Sequence, residues 1–169
     1  MRRANLATAR GNSRVRSATE ADIDEMVAML RIQHVSSSFC DISFCEPKVR
    51  ALFRHALTNK DHVCLVYERA GGGLNGMLVG FVMQHFFSTE LMASDLFVFV
   101  RPEARGGIAA ARLWAAFKDW ALGAGAVTLC FGTIGGEAPE RTRRFYTGLG
   151  MTEVGSLYLQ SLNKAASAA

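Results

Sequence analysis

At 169 residues, half of them apolar and 20% charged, the chain has the length and composition of one globular core and excludes fibrous, collagen-like and low-complexity architectures. Its formal charge of +4 resides in one appendage: residues 1–16 carry five arginines and no acid, and without them 14 basic residues face 15 acidic ones, so bulk charge names no partner. The longest apolar runs, such as residues 77–82 and 96–100, are far too short to cross a bilayer, which excludes a membrane as the chain's medium.

Taken along the chain, residues 1–14 resemble a transit peptide only in composition and are expected to form a disordered tail, as are residues 164–169 at the other end, leaving one domain over 15–163. A short strand is expected over Val15–Ala18. Thr19 and Asp22 then open a helix over residues 22–36, whose apolar positions Ile23, Met26, Val27, Leu30 and Val35 recur at helical spacing. Pro47 suits the first turn of a second helix carrying Val49, Leu52, Phe53 and Leu57 on one face. The runs 63–67 and 78–83, separated by Gly71, Gly72, Gly73 and the pair Asn75 and Gly76, predict a strand hairpin, followed by a third strand over 91–100. A helix over 108–122 places Leu113, Phe117, Trp120 and Ala121 on one face and is stopped by Gly123 and Gly125. A strand over 127–131, a basic helix over 139–149 and a last strand over 151–162 complete the series.

Because a helix separates the strands ending at Val100 and beginning at Val127, those two strands are joined by a right-handed parallel crossover, whereas the hairpins before them are antiparallel. The fold class is therefore α+β in three layers, with a mixed, mostly antiparallel central sheet of six to seven strands flanked by about four helices.

Cys40, Cys45, Cys64 and Cys130 contain no C-x-x-C pair, and Cys64 and Cys130 lie in apolar runs where a thiol packs as a small hydrophobe. This pattern fits a reducing cytoplasm. His34, His55, His62 and His85 share no ligand spacing with the cysteines, so no metal site is expected.

Chemistry is concentrated in two stretches. The first, Val98 to Leu113, reads V-F-V-R-P-E-A-R-G-G-I-A-A-A-R-L and runs an apolar strand through a glycine turn into an amphipathic helix. Such a junction offers uncommitted N–H groups and the positive end of a helix dipole to a phosphate, and glycine lets backbone approach it without a Cβ in the way. The second, Arg144 to Met151, reads R-F-Y-T-G-L-G-M.

In that order, the two stretches resemble the signature regions of the GNAT superfamily of N-acetyltransferases, over roughly residues 15–163. That family's phosphate loop begins on Gln or Arg, has Gly at its fourth position and Gly or Ala at its sixth; Arg105 and Ala110 fill the ends, and Ile108 stands at the inner glycine position. Shifting the match by one residue brings Gly107 and Ala109 onto the glycine positions. The family often has an Asn seven residues before its Tyr, where this chain has Pro139.

The resemblance implies a GNAT-like acyl-CoA acyltransferase fold that moves acetyl from acetyl-coenzyme A, the co-substrate, to an amine by direct attack in a ternary complex, with no metal. It makes Arg105, Gly106, Gly107, Ile108, Ala109 and Ala110 the pyrophosphate residues, with backbone N–H groups near Val98 or Val100 as oxyanion donors. It makes Tyr146 the acid that protonates the departing thiolate. Asp95, with Glu90 as the other carboxylate beside that strand, is the candidate general base, although a surface role fits the same residues. In the family, the link between the first two helices borders the acceptor pocket, so Phe39 and Phe44 stand either there or in the core. The acceptor is a small-molecule or peptide amine, and a homodimer is common in the family.

Two other readings stay open. One is an acyl-coenzyme A binding module without turnover. The other is a nucleic-acid domain using the basic helix with Arg141, Arg143 and Arg144, which its lack of interleaved aromatics disfavours.

Overall fold

The computed structural model describes residues 14–132 and 139–160, which fall into two bodies on either side of the break. The N-terminal tail, apart from Arg14, and the C-terminal tail lie outside the described residues.

In the first body the chain runs β1 (Val15–Ser17), α1 (Ile23–Val35), α2 (Glu46–Thr58), β2 (His62–Glu68), β3 (Leu74–Gln84), β4 (Leu91–Val100), α3 (Ala109–Gly123) and β5 (Ala126–Cys130). These strands form one five-stranded sheet in the order β1-β2-β3-β4-β5. The first three pairings are antiparallel and the β4–β5 pairing is parallel, as the crossover through α3 requires. The mixed α+β class and the three layers expected from the sequence are present. The strand count is five among the described residues rather than six to seven.

Both faces of the sheet are covered, which is why its central strands read as unbroken apolar runs. Cys64, Val66, Met77, Val79 and Phe99 pack under α1 and α2 with Met26, Met29, Leu30 and Phe53. Val63, Leu65, Tyr67, Leu78 and Ala93 pack under α3 with Leu113, Phe117 and Ala121. Phe44 packs against the α1/α2 cluster beneath the Arg31 guanidinium, 4.6 Å from its ring centroid, and so serves the core.

The start of α1 is fixed by charge. Thr19 and Asp22 form a capping box, and Arg16 from β1 clasps the Asp22 carboxylate with both terminal nitrogens at 2.8 Å. The Arg16 hydrogen bonds are the main force holding the Asp22 carboxyl down at about 2. A depressed carboxyl stabilises the fold above its unfolded value near 4, and that stabilisation is lost as pH falls toward 2.

The hairpin turn sits earlier than the sequence implies. Arg69 N–H donates to the Gly73 carbonyl at 2.8 Å, so the glycine run alone closes the turn and β3 begins at Leu74, with Asn75 and Gly76 inside the strand. Farther along β3 the register against β4 slips between Val79 and Gly80, leaving Leu96 as the extra residue of a β-bulge. Its consequence is visible in the packing: Leu96 and Phe97, consecutive in sequence, both contact the α1/α2 cluster. Gly80 faces the bulge closely, since a Cβ there would lie 2.5 Å from the Phe117 ring and 2.7 Å from the Ser94 carbonyl oxygen. Gly80→Ala should therefore destabilise the domain by about 2 kcal/mol in a denaturant titration. An unchanged midpoint would show that Phe117 moves aside freely.

The second body carries α4 (Pro139–Gly148), in which Arg143 pairs with Glu140 one turn earlier. The strand expected over 151–162 is not formed: residues 151–160 have no regular structure, and residues 161 and 162 lie outside the described set. Val154, Leu157, Tyr158 and Leu159 are exposed, so a strand here would have no buried face to serve among the described residues.

Candidate active site

The site begins where β4 and β5 part. Their parallel pairing runs from Leu91 to Ser94 on β4 and extends no farther among the described residues. The bulge at Leu96 follows immediately. Past it, the carbonyls of Val98 and Val100 are both engaged from outside the sheet: Gln33 Nε2 of α1 donates to Val98 O at 3.3 Å, and Arg105 Nε donates to Val100 O at 3.1 Å. In an extended strand the N–H and C=O of one residue point the same way, so the N–H groups of Val98 and Val100 face this open edge rather than β3.

Asp95 lies at the point of divergence. Its Oδ1 accepts the backbone N–H of Gly132, two residues past β5, at 3.0 Å, and burial pushes its carboxyl up to about 6. A carboxyl with that value is half ionised near pH 6 and mostly ionised at neutrality, a state that can accept a proton, and so high a value is uncommon for a surface acid. Glu90, by contrast, is exposed before β4, where its N–H bonds Ser88 Oγ at 3.1 Å.

Beyond β4 the chain turns through a short 3-10 helix, Pro102–Ala104, and reaches Gly106 with φ at +88°, a conformation that L side chains rarely adopt. Ile108 is the N-cap of α3, which has no side-chain cap and no acid in its first turn. Among the described residues, the N–H groups of residues 106–111 donate to no protein acceptor. Adjacent donors at a helix N-terminus offer uncommitted N–H groups and the positive end of the helix dipole to an anion.

These donors adjoin a cavity of about 490 Å³ lined by residues that include Arg14, Tyr67, Asn75, Arg105 and Arg112, with Glu103 its acid. Of the residues expected from sequence, the cavity gathers Arg105, Gly107, Ile108 and Ala109; Gly106, Ala110, Val98, Val100 and Asp95 are not in its lining. Arg105 is partly committed, through its bond to Val100 O and its position 5.9 Å from the Phe99 ring centroid. Tyr146 is on α4 of the second body, where its ring meets Phe145 edge to face at 5.3 Å.

Arg14, Arg112, Tyr67, Asn75 and Gln33 were not legible as site residues. They reach the loop or the β4 edge through the fold, over separations as long as the 65 residues between Gln33 and Val98, and form no local motif.

Among the described residues no group of three or more His, Cys, Asp or Glu is placed to hold a metal. All four cysteines are unpaired, and burial pushes the Cys64 thiol up to about 12, which keeps it protonated and unreactive. No helix among the described residues is long and apolar enough to cross a membrane.

The fold that carries this site also occurs in solved acetyltransferases. Glucosamine-6-phosphate N-acetyltransferase from Arabidopsis thaliana superposes with a TM-score of 0.71 at 15% identity, covering 88% of this chain and 97% of that one. This is the GNAT fold. Two further solved structures superpose to a similar extent. The enzyme AAC(6')-Iy, solved with a coenzyme A bisubstrate analogue, gives a TM-score of 0.70 at 14% identity over 88% of this chain and 97% of that one. A transcriptional regulator from Bacillus halodurans C-125 gives 0.70 at 20% identity over 87% and 98%. No known family profile matches this GNAT-fold chain, nor does the sequence of any curated protein.

Proposed function

We propose that the chain is an acetyl-coenzyme A dependent N-acetyltransferase acting on a primary amine of a small molecule or peptide. The observation that carries this reading is the row of six uncommitted N–H groups at residues 106–111, beside an arginine-lined cavity and just past the divergence of β4 and β5. Several structural neighbours are acetyltransferases, one solved with a coenzyme A bisubstrate analogue and another, an aminoglycoside acetyltransferase, with sisomicin. Those neighbours support acetyl transfer and a small-molecule acceptor without identifying this chain's own.

The coenzyme supplies an acetyl group as a thioester. Residues 106–111 and Arg105 bind its diphosphate, and the open β4 edge takes its extended arm. Asp95, at about 6, accepts a proton from the acceptor nitrogen as that nitrogen bonds to the acetyl carbon. The N–H of Val98 or Val100 stabilises the oxyanion. When the carbon–sulfur bond breaks, the Tyr146 hydroxyl gives its proton to the thiolate and is restored from water. No metal has a place in these steps.

Thiol release from acetyl-coenzyme A in the presence of polyamines, aminoglycosides, amino acids and peptides tests the reading. Tyr146→Phe should lower kcat about 100-fold with the coenzyme Kd unchanged. Full turnover in that variant would remove Tyr146 from the mechanism. A second reading, coenzyme binding without turnover, draws on the occupied carbonyls of Val98 and Val100, which arms of Gln33 and Arg105 already hold. It expects thermal stabilisation by the coenzyme and no thiol release with any amine.

A further inference from the structure

Gln33 carries a buried polar atom that the steps above leave without a role. It follows Met29 and Leu30 by four and three residues on α1 and so shares their sheet-facing side, where an amide must find partners for both of its ends. One end is matched, since Nε2 donates to Val98 O at 3.3 Å. That carbonyl can only accept, which fixes the amide with its nitrogen toward β4 and leaves the oxygen as the other end. Oε1 is buried, and among the described residues it meets no donor. A buried acceptor without a donor is costly, so its place beside an open strand edge points to a donor that arrives with a ligand.

The fold indicates which ligand. Gln33 comes from the layer of α1 and α2, whereas the N–H groups of residues 106–111 begin α3 in the opposite layer, so a coenzyme anchored at that loop leaves the Gln33 side of the edge to the second substrate. In a planar amide the oxygen and nitrogen share one carbon. Oε1 therefore stands next to the Val98 peptide, whose N–H faces the same edge and is one of the two donors assigned to the acetyl oxygen.

We propose that Gln33 Oε1 accepts an N–H of the attacking nitrogen and thereby selects primary over secondary amines, an inference that rests on the acetyl-transfer reading. A primary amine brings two N–H groups to the acetyl carbon. As the carbon–nitrogen bond forms, one proton leaves for Asp95; the other stays on nitrogen through to the amide product and is the one that Oε1 holds. A secondary amine that has given up its proton has none left to offer. The oxygen is neutral, so it orients the uncharged amine that attacks and offers no ion pair to the ammonium form.

Two thioethers of coenzyme A test this without a known acceptor. S-carbamoylmethyl-coenzyme A ends in a carbonyl bearing NH2 where the attacking nitrogen would be, and S-acetonyl-coenzyme A has the same shape with CH3 in its place. In calorimetric titrations of the full chain the carbamoylmethyl form should bind at least about tenfold more tightly than the acetonyl form. Gln33→Met, which keeps the length and bulk of the side chain, should bring that ratio near one with affinity for coenzyme A itself within about twofold. A ratio near one in the unaltered protein overturns the inference, as does a tenfold ratio that survives the substitution. An equal loss of coenzyme A and both thioethers in the variant also overturns it, because Gln33 would then serve only to hold β4. In all three cases coenzyme binding by the unaltered protein leaves the acetyl-transfer reading standing. If no coenzyme form binds the unaltered protein, that reading falls and the inference with it. Should Gln33→Met not fold, the side-chain amide resonances of Gln33 in the unaltered protein decide: they differ between the two thioether complexes if Oε1 holds the N–H, and coincide if it does not.

Discussion

Asp95→Asn is expected to lower kcat/KM about 100-fold at pH 7.5 and to abolish the acid limb of the pH–rate profile. In the unaltered protein, activity should rise with pH through about 6, where Asp95 loses its proton, and then level off. The amide keeps the shape of the side chain and still accepts the Gly132 N–H through its oxygen, so the substitution removes a proton acceptor and little else. Stability moves the opposite way. A carboxyl whose folded value is raised favours the folded state fully below its unfolded value near 4, and that advantage is lost as pH climbs through 6. Asp95→Asn should thus be more stable than the unaltered protein at pH 8, by about 1–2 kcal/mol after allowing for partial exposure. Lower activity with a higher melting temperature points to chemistry, whereas an unchanged acid limb would assign the base elsewhere.

Gly106→Val is expected to weaken acetyl-coenzyme A binding at least about 100-fold, the larger of the two binding effects available in the loop. Its φ of +88° is closed to a β-branched residue, which would swing the peptide over and turn aside the N–H groups that follow. Gly107 is different. Its φ is not in the left-handed region, and a Cβ there would sit 3.4 Å from the Ala104 carbonyl oxygen, an ordinary contact. Gly107→Ala should bind within about threefold of the unaltered protein, so the pair of variants separates backbone shape from mere bulk. Equal losses in the two would mean that the ligand itself presses on the loop.

The two glycines look alike in sequence, and only backbone angles tell them apart. Much else was legible: the α1 and α2 faces, the crossover through α3 and the glycine turn all follow from local spacing and from residues with restricted φ. The bulge at Leu96 was not, because Leu96 to Val100 is apolar throughout and packs, largely half-buried, against both helix layers, so no alternation marks the slip. Asp95 could be placed beside the site but not assigned a raised value, which depends on burial and on Gly132 brought across from β5. Arg14 is the clearest case. It read as one of five arginines in a basic tail, and it reaches the cavity only because β1 pairs with β2 at the edge of the sheet, setting Val15 opposite Tyr67. The final strand expected over 151–162 is absent for a physical reason: Leu157 and Leu159 are exposed, and no buried face receives them among the described residues.

Backbone amide resonances of residues 106–111, followed by NMR during titration with acetyl-coenzyme A, test directly whether six main-chain donors hold the diphosphate. These amides should shift together in proportion to bound coenzyme and gain protection from hydrogen exchange, with the Val98 and Val100 amides on the open edge moving alongside them. Saturation with coenzyme that leaves residues 106–111 unshifted would contradict the assignment of this loop, and with it the acetyl-transfer site built around it.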